Sequence, residues 1–276
     1  MTSTFVETLG RALGSPPLRA TSAPSAGIVE LRDGRRVFVK APDDRRAQAM
    51  VDAEEHGLAF LRGRGSLRVP SVLARGDDFL VLEALDIRPL EGSTAERFGR
   101  GLAELHRSGA PCFGLDRDNF IGLTEQRNTP RARWADFYRD ERVLAVAERC
   151  DLDAETRSLV DAVALRMNEL VGDEEPPARL HGDLWSGNAC ADEHGVPCVF
   201  DPAVSGGARE LDLAMMRLFG GFPRRTFDAY AESFPLPPGH AERTALYQLY
   251  FLLVHVAIFG RGYVAETQRC LRAVLS

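Results

Sequence analysis

The chain has 276 residues, enough for one large domain or two lobes with their own cores; 45% are apolar and 27% charged, as in an ordinary globular protein. A formal charge of −6 argues against a dedicated nucleic-acid binder, yet leaves room for a local basic pocket around a polyphosphate. No apolar run of membrane-spanning length is expected, and MTSTFVETLG lacks the basic-then-apolar layout of a signal segment. The expected location is therefore the cytoplasm, with no membrane and no nucleic acid as partner.

In chain order, residues 3–13 predict a short helix stopped by Gly14 and Pro16-Pro17. Gly27–Leu31 and Arg36–Lys40 flank Asp33-Gly34 and predict a β-hairpin whose second strand ends on Lys40. Residues 45–62 predict a helix with Ala47, Met50, Val51, Leu58 and Leu61 on one face. Glu54 falls on that same face, and a buried carboxylate needs a partner. Lys40 on the preceding strand is the candidate; Glu55 is the alternative to Glu54. Two further strands are expected around Gly76-Asp77-Asp78, the second losing its pattern after Glu83-Ala84-Leu85. From Ser93 onward the pattern is helical. His106 at a helix end reads as a core histidine, because no second histidine stands at metal-ligand spacing. Helices are expected at about 131–148, 153–171, 210–219, 225–233, 240–259 and 262–275. The layout is α+β, with a β-rich lobe over residues 1–85 and a helical lobe over 86–276 facing each other across a cleft.

The most informative stretch is RLHGDLWSGNACADEHGVPCVFD, Arg179 to Asp201. Asp192-Glu193-His194-Gly195 is a turn cluster between Ala189–Ala191 and Pro197–Phe200, so a hairpin is expected to bring Asp201 back beside Asn188. Asp183, Asn188 and Asp201 would then converge. Two carboxylates and an amide suit magnesium, a hard cation that shares phosphate oxygens with a substrate. Protein kinases use the same spacing: an Asp as base, an Asn five residues on and an Asp across a hairpin for the metal ions, and a strand lysine, paired to a helix glutamate, on the phosphates of ATP. Lys40 and Glu54 fit that pair. Glu83, Ala84 and Leu85 fall where backbone groups would meet adenine. Trp185 is a candidate wall for the acceptor, and Asp212, at a helix start, a candidate brace for the catalytic loop. The segment Thr21–Gly27, where a phosphate loop is expected, holds a single glycine.

The chain has five cysteines, an odd number, with no C-x-x-C pair, which points away from a zinc ribbon or a disulfide framework. Cys190 and Cys198 flank the hairpin turn and are expected to face each other.

HGDLWSGN, Phe200-Asp201-Pro202-Ala203 and Glu210-Leu211-Asp212-Leu213-Ala214 resemble the fructosamine-3-kinase (ketosamine kinase) family. So do Phe113-Gly114-Leu115-Asp116 with Asn119, Gln126-Arg127-Asn128-Thr129, and Trp134 with Phe137. The resemblance runs over nearly the whole chain. It implies a two-lobed protein-kinase-like fold and ATP- and Mg2+-dependent phosphorylation of a sugar hydroxyl, the 3-position of a ketosamine such as a ribulosamine or fructosamine adduct, in deglycation. It also implies Asn119 and Trp134 as acceptor-pocket residues, and a monomer is the expected state. The phosphate segment departs from the family by lacking a Gly-Gly run and the cysteine some members carry there, so a redox switch in that loop is not carried over. The competing readings are a kinase for another hydroxylated amine, aminoglycoside or choline-like, and a catalytically silent nucleotide-binding protein. An acidic helical lobe would favour a cationic acceptor in either kinase reading.

Overall fold

A computed structural model of the chain describes residues 9–20 and 26–276, without side-chain detail for 18–20. Most of the expected phosphate segment, 21–25, and the first part of the expected N-terminal helix lie outside these residues; 9–13 are helical.

The first third forms a five-stranded antiparallel sheet in the order β1-β2-β3-β5-β4, with β1 Pro17–Ala20, β2 Ala26–Leu31, β3 Arg36–Lys40, β4 Val72–Arg75 and β5 Leu80–Glu83. The expected Asp33-Gly34 hairpin joins β2 and β3, with Gly34 at φ 84°, where a side chain would be strained. Alternation in β3 points Val37 and Val39 into a small core with Leu9, Leu31 and Val81. Helix α1, Ala47–Leu61, covers the other side through Val51, Leu58 and Leu61.

Helix α2, Gly92–Arg107, opens the helical part behind a capping box between Glu91 and Thr94. The helix expected over 131–148 is one run from Trp134 to Ala147 whose middle, Tyr138–Leu144, is π-helical. Helices Glu210–Leu218, Arg224–Ser233, Thr244–Phe259 and Val264–Leu275 follow as expected. Their main core gathers Trp134, Phe137, Tyr138, Tyr247, Tyr250 and Phe251.

One expectation is corrected. The 32-residue helical run Thr244–Leu275 is long and apolar enough, by length and composition, to cross a membrane. Here it is broken by a 3-10 turn at Gly260–Tyr263, and Leu246, Leu249, Leu253 and Val256 are buried in the core.

A second apolar core crosses from one part to the other. Val51, Leu58 and Leu80 pack with Leu102, Leu184, Val199, Leu213 and Tyr230. Single β-bridges join Arg68 to Cys198 and Arg88 to Ala191, so the hairpin Ala189–Ala191/Pro197–Val199 is tied to both parts.

Candidate active site

Lys40 at the end of β3 reaches across to two carboxylates. Its Nζ lies 2.7 Å from Glu54 Oε2 and 2.9 Å from Asp201 Oδ1. The expected Lys40–Glu54 pair is thus present, and Glu55 instead meets Arg75 at 2.7 Å on the surface. Burial works against the charge on Lys40, but Glu54 and Asp201 outweigh it and raise its pKa above the ordinary lysine value. Burial pushes Glu54 upward against the pull of Lys40; at 2.7 Å from an ammonium it acts as the ionised acceptor. Its other oxygen, Oε1, is buried without a hydrogen-bond partner.

Asp201 owes its position to an uncommon backbone. Its φ is 57°, the single positive φ outside glycine among the described residues. Such a conformation persists only where its surroundings enforce it. Pro202 follows and packs on Gly57 of α1, where a Cβ would come within 2.9 Å of the proline ring. Gln126 Nε2 donates to Ala203 O at 3.0 Å and Asn119 Nδ2 to Val204 O at 2.8 Å, which holds the segment from beneath.

The loop His181–Asn188 is braced by Asp212, as the sequence suggested. Asp212 is fully buried and accepts the backbone N–H groups of His181 and Gly182, each at 2.8 Å. It also pairs with His106 Nε2 at 3.1 Å, while His106 Nδ1 meets Tyr230 Oη at 2.8 Å. Burial opposes ionisation of Asp212, but the His106 bond and charge, with the Gly182 amide, hold its pKa below the usual range. His106 is therefore a core histidine that anchors the brace. Gly182 has φ 84°, and a Cβ there would fall 1.9 Å from Ala203 O, so only glycine lets this loop touch the segment after Asp201. Burial lowers the pKa of His181 and keeps it neutral; Nε2–H donates to Phe200 O at 3.0 Å, which leaves Nδ1 to accept the Asp183 amide at 3.3 Å.

Asp183 and Asn188 meet as expected. Asn188 Nδ2 donates to the Asp183 backbone oxygen at 2.8 Å and to Oδ2 at 3.1 Å. Burial, then the nearby Asp201 charge, pushes the Asp183 carboxyl up to about 7, against the lowering effect of Asn188. A carboxyl poised near neutrality suits a group that must take a proton at physiological pH.

Lys40, Glu54, Asp183, Trp185, Asn188 and Asp201 all line one cavity of about 250 Å³. Beside it, on the far side of Asp201, Glu83 and Leu85 line a second of about 450 Å³, with Phe38 and Leu82 as apolar walls. Ala84 sits between them in the chain, half-buried. The Glu83 side chain is engaged elsewhere, by Arg68, which also holds buried Asp192 in the hairpin turn. Trp185 is 42% exposed, and its ring edges the cleft.

Two expected acceptor residues do not reach this space. Trp134 is 2% exposed; it stacks on Phe137 and Tyr138 in the helical core and donates Nε1–H to Tyr247 Oη at 3.1 Å. Asn119 is 4% exposed, and its Oδ1 accepts from Gln126 at 2.7 Å and Asn128 at 2.9 Å. Both carry the site rather than line it. Phe120, Ile121 and Gly122, next to Asn119, line the cavity instead; no periodicity in a three-residue strand could single them out. Cys190 and Cys198 are directly opposed in the hairpin, as expected, and are free thiols.

Among the described residues no group of three acidic, histidine or cysteine side chains could hold a metal ion alone. Asn188 spends its nitrogen on Asp183 and keeps its carbonyl oxygen, and Asp201 has a second carboxylate oxygen beyond the one Lys40 takes. This sparse, all-oxygen set fits a hard divalent cation that draws its other ligands from water and phosphate.

A profile of the family described as fructosamine kinase matches residues 17–276. A "Probable ketoamine kinase" from Synechocystis is 35% identical over 287 residues, covering 99% of this chain and 96% of the relative. The crystal structure of a protein from Thermobifida fusca assigned as a fructosamine-3-kinase superposes with a TM-score of 0.91 at 38% identity, over 100% of this chain and 99% of that one. The streptomycin–ATP complex of the phosphotransferase APH(2″)-IIa, at 13% identity and a TM-score of 0.67, covers 99% of this chain and 96% of its own and shares the fold alone. A strand lysine paired to a helix glutamate, a braced Asp–Asn loop and a hairpin that returns Asp201 to the lysine thus meet a family match over nearly the full length, and the chain belongs to the fructosamine kinase family.

Proposed function

We propose that the chain is an ATP-dependent kinase that phosphorylates the 3-hydroxyl of a ketosamine, a ribulosamine or fructosamine adduct, in the cytoplasm. The observation that carries this reading is the convergence of Lys40, Asp183, Asn188 and Asp201 on one cleft. Its lobes divide near residues 85 and 86, and it works as a monomer.

In this reading Asp183 accepts the proton of the attacking hydroxyl. The acceptor oxygen bonds to the γ-phosphorus as the bond to the leaving ADP breaks. Lys40, held by Glu54, steadies the α- and β-phosphates. Glu83, Ala84 and Leu85 offer backbone groups to adenine between Phe38 and Leu82. Asn188 and Asp201 hold Mg2+, which supplies positive charge to the phosphate oxygens. Trp185 walls the acceptor side. The chain's contribution is mainly position and charge, because the transferred phosphoryl needs little covalent help.

ATP consumption with ribuloselysine, fructoselysine, an aminoglycoside and choline tests the reading. Turnover of the ketosamines with neither of the others is the expected result. Turnover of the aminoglycoside or choline alone, or of none, rejects it.

A further inference from the structure

On the side of Asp183 away from Lys40 lies a third cavity of about 530 Å³. It shares Asp183 and Trp185 with the cavity that holds Lys40 and Asn188. A molecule whose hydroxyl meets Asp183 has this space open to it. Asp183 is the single acid among its lining residues, which is not what a polycationic acceptor needs.

The walls are aromatic. The His255 ring centre lies 4.8 Å from that of Phe219, 5.5 Å from Phe259 and 5.0 Å from Tyr263. Phe219, just past the end of helix Glu210–Leu218, is 44% exposed, and Phe259, the last residue of helix Thr244–Phe259, is 63% exposed. His255 Nδ1 is 2.7 Å from Phe251 O and donates to it, so in the neutral ring Nε2 is left as an acceptor. Aromatic faces and one imidazole lone pair suit a single ammonium carrying an apolar body.

We propose that this cavity receives the amine end of the acceptor and selects ketosamines built on apolar or aromatic amines over those built on lysine, with Phe219, His255 and Phe259 as the specificity-determining residues. This rests on the ketosamine kinase reading. His255 Nε2 accepts the N–H of the secondary ammonium, the aromatic faces flank its charge, and the carrier's apolar body covers Phe219 and Phe259.

The test uses the purified full chain with ATP and three adducts of one ketose, on methylamine, phenethylamine and lysine. The phenethylamine adduct should exceed the lysine adduct by about tenfold or more in kcat/KM, carried mainly by KM. Phe259→Ala and Phe219→Ala, both at exposed positions, should bring that ratio to within about twofold, with melting curves reporting the fold. Equal use of the two adducts, a preference for the lysine adduct, or a ratio unmoved by either substitution overturns the proposal while leaving the kinase reading intact. No turnover of any adduct, the methylamine one included, overturns both.

Discussion

Asp183 sits where opposing influences meet. Burial and Asp201 push its pKa up to about 7, and only Asn188 and the more distant Lys40 pull the other way. In the free protein the native state therefore keeps a proton, between its ordinary value of 3.8 and about 7, that the unfolded chain has released. The unfolded state binds fewer protons across that window, so stability falls as pH rises through it. Asp183→Asn removes the charge without the shape. At about pH 8, free of metal and nucleotide, this variant should melt above the wild type, and the gap should close near pH 4; an equal or lower melting temperature at the higher pH would contradict the burial argument. The same substitution should cut turnover by about 10² or more while ATP binding persists, measured by steady-state kinetics beside a nucleotide titration. Near-normal turnover would remove Asp183 as the base. Trp134 makes the contrasting case. It is buried among Phe137, Tyr138 and Tyr247, so Trp134→Ala should cost about 3–5 kcal/mol in a denaturant titration, with loss of activity following loss of fold. A variant of normal stability but raised KM would return Trp134 to the acceptor pocket.

At the scale of elements, α1 does two jobs. It presents Glu54 to Lys40, and one turn later its Gly57 lies against Pro202. The helix and the Asp201 loop are therefore set by a single contact. Gly57→Ala would drive a methyl to 2.9 Å from the proline ring, which has nowhere to swing. The helix should back away and lengthen the Lys40–Asp201 contact. We expect turnover to fall by about tenfold with a stability loss of about 1–3 kcal/mol, read from kinetics and melting together. Unchanged kinetics would mean that Glu54 and Asp201 are positioned independently. The hairpin Ala189–Ala191/Pro197–Val199 has the complementary task. Its turn is tied by Asp192, which accepts from the His194 and Val196 amides at 2.9 and 2.8 Å and meets Arg68 from the first part of the chain.

At the scale of the molecule, the core that runs from Val51 and Leu80 to Leu184, Val199 and Leu213 makes the two parts one folding unit. Calorimetry should record one transition; two resolved transitions would mean that the crossing core contributes little. Much of this was readable in the sequence, for stated reasons. The five-residue step from Asp183 to Asn188, the Asp33-Gly34 turn and the stripe that carries Glu54 are local signals, and each survives in the structure. What escaped is what only packing decides. The family motif pointed to Asn119 and Trp134 as acceptor residues, and only three-dimensional packing turns them inward. His255, Phe259 and Tyr263 follow one another at four-residue steps, but Phe219 and Asp183 reach the same cavity from distant parts of the chain, so no single window of sequence contains it. The apolar length of Thr244–Leu275 was hidden because Gly260-Arg261-Gly262 interrupts it and ends its charge-free stretch. Lys40 has three N–H donors, and two already hold Glu54 and Asp201. The third is left for a phosphate oxygen; a phosphate that takes a second donor takes it from Asp201, whose charge then needs another partner. Loading this cleft in that way is an exchange of counter-ions: nucleotide without cation strands a bare carboxylate, and cation without nucleotide leaves an idle ammonium beside it.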